Sequence, residues 1–225
     1  MNFFCSWSGG KDSCLSLYKA ISQGDLPKVL FTACIEEGGR SRSHGLSMDI
    51  LQAQALSLGI PLVTVNTAWD QYRDHFVSGI RALKKQDPSI TRGVFGDMDI
   101  EAHRQWEKEV CAECEMKAYL PLWQMERKYV LKTFLEVGFK AIIISVNTAQ
   151  LNPEKYLGRV IDEMLCKELE AINVDPCGEN GEYHTVVFDG PIFKQPLLLE
   201  KGLIMKHESY CFLDLKLSSK KGGLL

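Results

Sequence analysis

The chain has no surplus of basic residues: 26 Lys and Arg stand against 29 Asp and Glu, giving a formal net charge of −3. Without a basic stripe it lacks the electrostatic footprint of a protein that grips nucleic acid independently of sequence. It also lacks an apolar run long enough to cross a bilayer. Lys11 and Asp12 interrupt the hydrophobic N-terminal segment before it could serve as a secretory leader, so the expectation is a cytoplasmic protein with no membrane partner. A second close pair of cysteines is missing too. Of eight Cys only Cys111 and Cys114 are spaced as Cys-x-x-Cys, which is half of what a structural zinc site needs. They fall in a helix-like stretch, so packed thiols are expected there rather than a metal or a dithiol, and cysteines this dispersed do not make a disulfide scaffold. No internal repeat is visible.

What is present begins at once. The run Asn2-Phe3-Phe4-Cys5-Ser6-Trp7 reads as a buried first strand, and Cys14, Leu17, Tyr18 and Ile21 recur on one face of a helix. Between them stands Ser8-Gly9-Gly10-Lys11-Asp12-Ser13. Glycines at a strand-to-helix turn let the backbone come close to a polyphosphate and aim N–H groups at its oxygens, and the helix start adds unpaired donors and partial positive charge. Lys11 contributes a full charge, Ser8 and Ser13 contribute hydroxyls, and Asp12 is placed as a first-turn acid or a partner for a metal. The turn is too short for the common P-loop, because no glycine stands four residues before Gly10 and Asp12 replaces the expected hydroxyl residue.

Strand-like and helix-like segments alternate after this turn. Strands are expected at 28–35, 61–65 and 93–96, and helices at 47–59, 71–85 and 101–113, with a Gly/Arg/Ser-rich loop at 36–45. Such alternation predicts an α/β domain, a parallel twisted sheet with helices on both faces, whose ligands gather at the carboxyl ends of the strands. A boundary is placed near residue 120. Beyond it a smaller α+β domain is expected over 121–217, with helices at 128–136 and 156–169, strands at 140–146, 184–188, 197–204 and 209–217, and a flexible tail at 218–225.

A second chemical cluster lies at Pro176-Cys177-Gly178-Glu179-Asn180-Gly181-Glu182-Tyr183-His184-Thr185. Two carboxylates, an amide, an imidazole and a hydroxyl sit on a loop that its glycines allow to turn sharply. An ordinary Asn-Gly turn with solvated acids would use the same residues.

With these residues the chain resembles the N-type ATP pyrophosphatases, whose signature is the Ser-Gly-Gly-Lys-Asp-Ser turn, and within them the diphthine–ammonia ligase family. The likeness extends through His44-Gly45-Leu46, Gly59-Ile60-Pro61-Leu62-Val63, Gly93-Val94-Phe95-Gly96-Asp97, Pro121-Leu122-Trp123, Gly138-Phe139-Lys140-Ala141 and the Gly178–Thr185 loop. It implies a Rossmann-like nucleotide-binding domain of the HUP type with a smaller substrate domain. It also implies ATP with Mg2+, adenylation of a carboxylate with loss of pyrophosphate, and transfer of ammonia. Diphthamide enzymes carry a glutamate where His184 stands here, and in this respect the chain is similar to a mainly prokaryotic branch associated with corrinoid metabolism.

On that resemblance Trp7, Ser8, Gly9, Gly10, Lys11, Asp12 and Ser13 hold the phosphates, with Asp12 near the metal. Ala33 and Ile35 lie near the adenine, His44 contacts the nucleotide, and Asp97 orients metal or ribose. Lys11 stabilises the departing pyrophosphate, Glu179, Glu182 or His184 binds ammonium and takes its proton, and Asn180 orients the carbonyl. The expected partners are a small-molecule or protein-borne carboxylate and ammonia, with a homodimer open. Two other classes share the turn. A tRNA-modifying enzyme would want more positive charge, and a non-catalytic nucleotide sensor would have no use for the 179–185 loop.

Overall fold

A computed structural model of the chain describes residues 1–36 and 39–218. Five strands, β1 (Asn2–Ser6), β2 (Leu26–Cys34), β3 (Leu62–Asn66), β4 (Ile90–Val94) and β5 (Lys117–Tyr119), form a parallel sheet in the order β3-β2-β1-β4-β5. Between them run α1 (Lys11–Ser22), α2 (Met48–Leu58), α3 (Tyr72–Gln86) and α4 (Glu101–Ala112), with helices on both sides of the sheet. β1 is central, and Phe3, Phe4 and Cys5 are fully buried, which is why it reads as an unbroken apolar run rather than an alternating one.

The core on one side of the sheet is aromatic. Phe4 meets Phe31 and Phe95 edge-on at centroid distances of 6.0 and 5.9 Å, and Phe31 meets Phe76 at 5.0 Å. Two glycines make room for these rings: a Cβ at Gly79 would lie 2.5 Å from the Phe31 ring, and one at Gly93 would lie 2.6 Å from that of Phe4. Burying each Phe is worth roughly 1.5–3 kcal/mol, so the cluster is a main stabiliser of this unit. Cys111 and Cys114 pack into it. Burial pushes the Cys111 thiol up to about 12, and Cys114 donates to the Val77 carbonyl at 3.6 Å.

The remaining elements are α5 (Arg127–Glu136), β6 (Lys140–Asn147), α6 (Pro153–Tyr156), α7 (Glu163–Ala171), β7 (Tyr183–Asp189), β8 (Leu199–His207) and β9 (Tyr210–Leu217). The four strands form an antiparallel sheet ordered β7-β6-β9-β8. The chain divides into two compact units: the first comprises Met1–Ser8, Asp12–Met48 and Gly59–Met125, the second Gly9–Lys11, Asp49–Leu58 and Glu126–Leu225. The tip of the glycine turn and nearly all of α2, placed by sequence with the first domain, therefore group with the second unit.

Three local features differ from expectation. The helix expected at 156–169 is two pieces, because Gly158 takes a left-handed φ of 75° and the 159–161 segment bonds to β6 through Ile143 N–H to the Arg159 carbonyl and Ile161 N–H to the Ala141 carbonyl, 2.9 and 2.8 Å. Asp162 then restarts the helix as an N-cap, accepting from the Leu165 amide at 2.7 Å. β5 is only three residues long, too short to leave a periodic signal. The loop expected at 36–45 and the tail at 218–225 fall partly outside the described residues; Ser218 itself donates its amide to the Leu198 carbonyl at 2.8 Å.

Gly96 follows β4 against the start of α1. A Cβ there would lie 2.9 Å from the Ser13 amide nitrogen and 3.0 Å from the Asp12 carbonyl carbon, backbone atoms that cannot swing aside. Gly96→Ala is expected to cost about 1–3 kcal/mol through overpacking, read as a lowered urea midpoint; an unchanged midpoint would show that this close approach is dispensable.

Candidate active site

The glycine turn needs one left-handed residue, and Gly9 supplies it at φ 80°. The turn is then fastened from its carbonyl side. The Gly9 carbonyl accepts from the Val187 amide of β7 at 2.9 Å and from Gln54 Nε2 of α2 at 2.9 Å, and Gln54 also donates to the Val187 carbonyl at 2.7 Å. The Lys11 amide donates to Thr185 Oγ1 of β7 at 3.1 Å. Expectation had the amides of the turn facing a ligand; this one is spent on β7. Gln54 is fully buried on the apolar side of α2, and in the sequence it is one of two amides, with Gln52, amid Ile50, Leu51, Ala55 and Leu58.

The Lys11 ammonium is buried to 7% side-chain exposure and pairs with Glu179 Oε1 at 3.0 Å, Glu179 being itself 19% exposed. Two charges so far out of water stabilise each other only in good geometry, and removal of either strands the other. The loop that carries Glu179 is rigidly tied. Asp175 accepts from the Cys177 amide at 2.9 Å, and Arg127 at the start of α5 donates to Asp175 at 2.6 Å and to Asn180 Oδ1 at 3.0 Å. Glu182, buried, accepts from the amide and the side-chain Nδ2 of Asn180 at 2.8 and 3.1 Å, and Tyr210 donates to the Gly181 carbonyl at 2.9 Å. Gly178 and Gly181 provide left-handed turns at φ 75° and 79°. Asn180 thus has both ends of its amide engaged, Oδ1 by Arg127 of α5 and Nδ2 by Glu182.

His184 stacks near Tyr210, with centroids 6.5 Å apart and planes 19° apart. Burial first, and the Lys11 charge second, hold its imidazole down at about 4, so the ring is neutral at pH 7. Lys11, Glu179, Asn180, Glu182 and His184 therefore all belong to one compact unit, joined by the turn and β7.

The other sequence-named residues lie in the first unit, apart from Gly9, Gly10 and Lys11 at the turn tip. Ser8 and Ser13 hydroxyls share a hydrogen bond of 3.1 Å across the turn. Trp7 is core: its ring is buried, its amide donates to the Phe31 carbonyl, and its carbonyl accepts from Thr32. The Ala33 carbonyl accepts from the Arg42 amide and the Ile35 amide donates to the Arg40 carbonyl, so both peptide groups tie the strand end to its loop. His44 is half-buried in that loop, and Arg42 bonds the Thr67 carbonyl and lies 4.8 Å over Trp69. Asp97 follows β4, partly exposed, and Asp12 stands half-buried in the first turn of α1. Sequence reasoning passed over Arg127, Gln54, Asp175 and Glu107, and none of them sits in a recognisable motif.

Known protein families match two successive segments of the chain. The diphthamide synthase N-terminal domain family matches residues 1–118, and the diphthamide synthase C-terminal domain family matches residues 126–220. A diphthine–ammonia ligase of Bos taurus is 31% identical over 227 residues, covering 91% of this chain and 85% of its own length. One of Schizosaccharomyces pombe is 28% identical over 231 residues, of which this chain spans only 38% of the length. A tRNA-specific 2-thiouridylase of Psychromonas ingrahamii is 36% identical over 88 residues, 37% of this chain.

The lowered His184 pKa has a consequence for stability. An imidazole that is harder to protonate folded than unfolded adds stability present above its ordinary value near 6.5 and lost as pH falls toward about 4. Urea unfolding at pH 7 and pH 5 should show a smaller acid loss in His184→Gln than in the native chain; an equal loss would contradict the assigned burial.

Proposed function

Because the chain belongs to the diphthamide synthase family, we propose that it is an ATP-dependent ligase that adenylates a substrate carboxylate, releases pyrophosphate and transfers ammonia to the activated acyl group. The observation that carries this reading is the Lys11–Glu179 pair on a turn fastened to β7, which brings the phosphate-turn cation to the acid-bearing loop within one unit.

Lys11 supplies positive charge for the pyrophosphate that leaves, and its partner Glu179 is then released from pairing as the phosphates take its place. In-line attack by the acceptor carboxylate on the α-phosphorus gains chiefly from positioning and preorganised charge, with no covalent bond to the protein. Asp12 offers the carboxylate oxygen that Mg2+ favours; bound among the phosphates, Mg2+ would neutralise their charge.

Ammonia reaches neutral solution mostly as ammonium, so a base must take a proton before it can attack the acyl adenylate. Glu179 and Glu182 are the anionic groups of the loop, and His184 is a neutral ring whose basicity is suppressed partly by the Lys11 charge. Phosphate anions on Lys11 offset that charge, which raises the readiness of His184 to accept a proton as the adenylate forms.

The acceptor is a carboxylate of the diphthine kind, as the relatives' names suggest. The His184 position, a glutamate in the diphthamide loop, supports a second acceptor, a corrinoid carboxylate. Incubation with ATP, Mg2+, ammonium and each acceptor should release AMP and pyrophosphate in equal amounts only with the right one. Lys11→Ala should abolish that release; native turnover in that variant would refute the role of the turn.

A further inference from the structure

Glu107 lies outside the loop chemistry and is an unusual side chain to find on the buried face of α4. It is 2% exposed, packed beside Val110 and Cys111, and its Oε2 has no hydrogen-bond partner among the described residues. An ionised carboxylate with a bare buried oxygen would be severely under-solvated, whereas a neutral carboxylic acid needs only its O–H paired. Its neighbour is Asp97, whose Oδ1 also lies 2.6 Å from His103 Nδ1.

We propose that Glu107 and His103 are positioning residues for Asp97, holding its carboxylate from the buried and the solvent side so that its free lone pairs receive the ribose hydroxyls of the nucleotide. The idea rests on the reading of the chain as an ATP-dependent ligase. Asp97 ends the segment that follows β4, and Gly96 before it lies against the Asp12–Ser13 backbone, so the chain reaches Asp97 past the start of α1. Parallel sheets collect nucleotides at such strand ends.

Burial, then the hydrogen bond to Asp97 and then its charge, raise the Glu107 pKa to about 10. The acid therefore keeps its proton at neutral pH and can donate it. The groups facing it are Asp97 after β4, Tyr72 on α3 and Cys111 on its own helix, with Arg42 beyond Tyr72 and His103 beyond Asp97. Tyr72 is itself pushed up to about 12, by burial first and Asp97 second, so it is neutral too.

The test combines a spectroscopic and a binding measurement on the full chain. With 13C-labelled Glu side chains, the Glu107 carboxyl resonance, assigned by its loss in Glu107→Gln, should not titrate between pH 4 and pH 8. Titration in the ordinary carboxylate range would overturn the proposal. Titration calorimetry with ATP and Mg2+ should show Glu107→Gln, which keeps a neutral donor, close to native. Glu107→Met, which fills the space without a donor, should bind about 3–10-fold more weakly, as expected for one lost hydrogen bond.

Asp97→Asn should lose the native preference for ATP over 2′-deoxy- and 3′-deoxy-ATP. Equal weakening by Gln and Met, or native binding by Met, would overturn the positioning role; retained ribose preference in Asp97→Asn would overturn the ribose contact. Lys11→Ala separates these failures from failure of the ligase reading, since that variant reports on the phosphate turn alone.

Discussion

The Gly9 carbonyl is where the chemistry of this protein is anchored. By accepting from both Val187 and Gln54, and with the following Lys11 amide committed to Thr185, the glycine turn becomes part of the same compact unit as β7. A glycine turn between strand and helix is usually described by the donors it offers. Here its acceptors matter as much, because they tie the turn to β7, and from there the Lys11 ammonium pairs with Glu179 at 3.0 Å. Each of these bonds is modest alone, about 0.5–1.5 kcal/mol, but they are buried, so leaving any of them unmade costs more than making it gains.

From this anchor the acid loop follows in order. Asp175 and Arg127 fix its entry, Asn180 delivers two donors to Glu182, and Tyr210 closes it over Gly181. The result is a loop whose carboxylates are held in distinct environments: Glu179 against a cation, Glu182 buried on amide donors. Placing two acids in different surroundings is how one site performs more than one proton task. His184 adds a ring kept neutral by burial and by Lys11.

Much of this was legible in the sequence. The strand–turn–helix frame of the glycine motif, the alternation that makes a parallel sheet and the chemical density of residues 176–185 all come from local signals, and the structure reproduces them to within a few residues. What was not legible is long-range. Gln54 and Thr185 are separated from the turn by 45 and 174 positions, and nothing in their own neighbourhoods announces that they bind it. Glu107 is one of several charged residues in the α4 sequence, and its burial follows only from how α4 lies on the sheet. The break at Gly158 was missed because apolar spacing on either side of it suits a continuous helix, while the chain gains more by pairing with β6.

Under the proposed function ATP is cleaved beside its ribose, with the acceptor carboxylate as the attacking group. An acceptor carrying 18O in its carboxylate, turned over with ATP, Mg2+ and ammonium, tests this directly by mass spectrometry of the nucleotide product. One 18O atom transferred into AMP is the predicted result; unlabelled AMP, or ADP in its place, would contradict it.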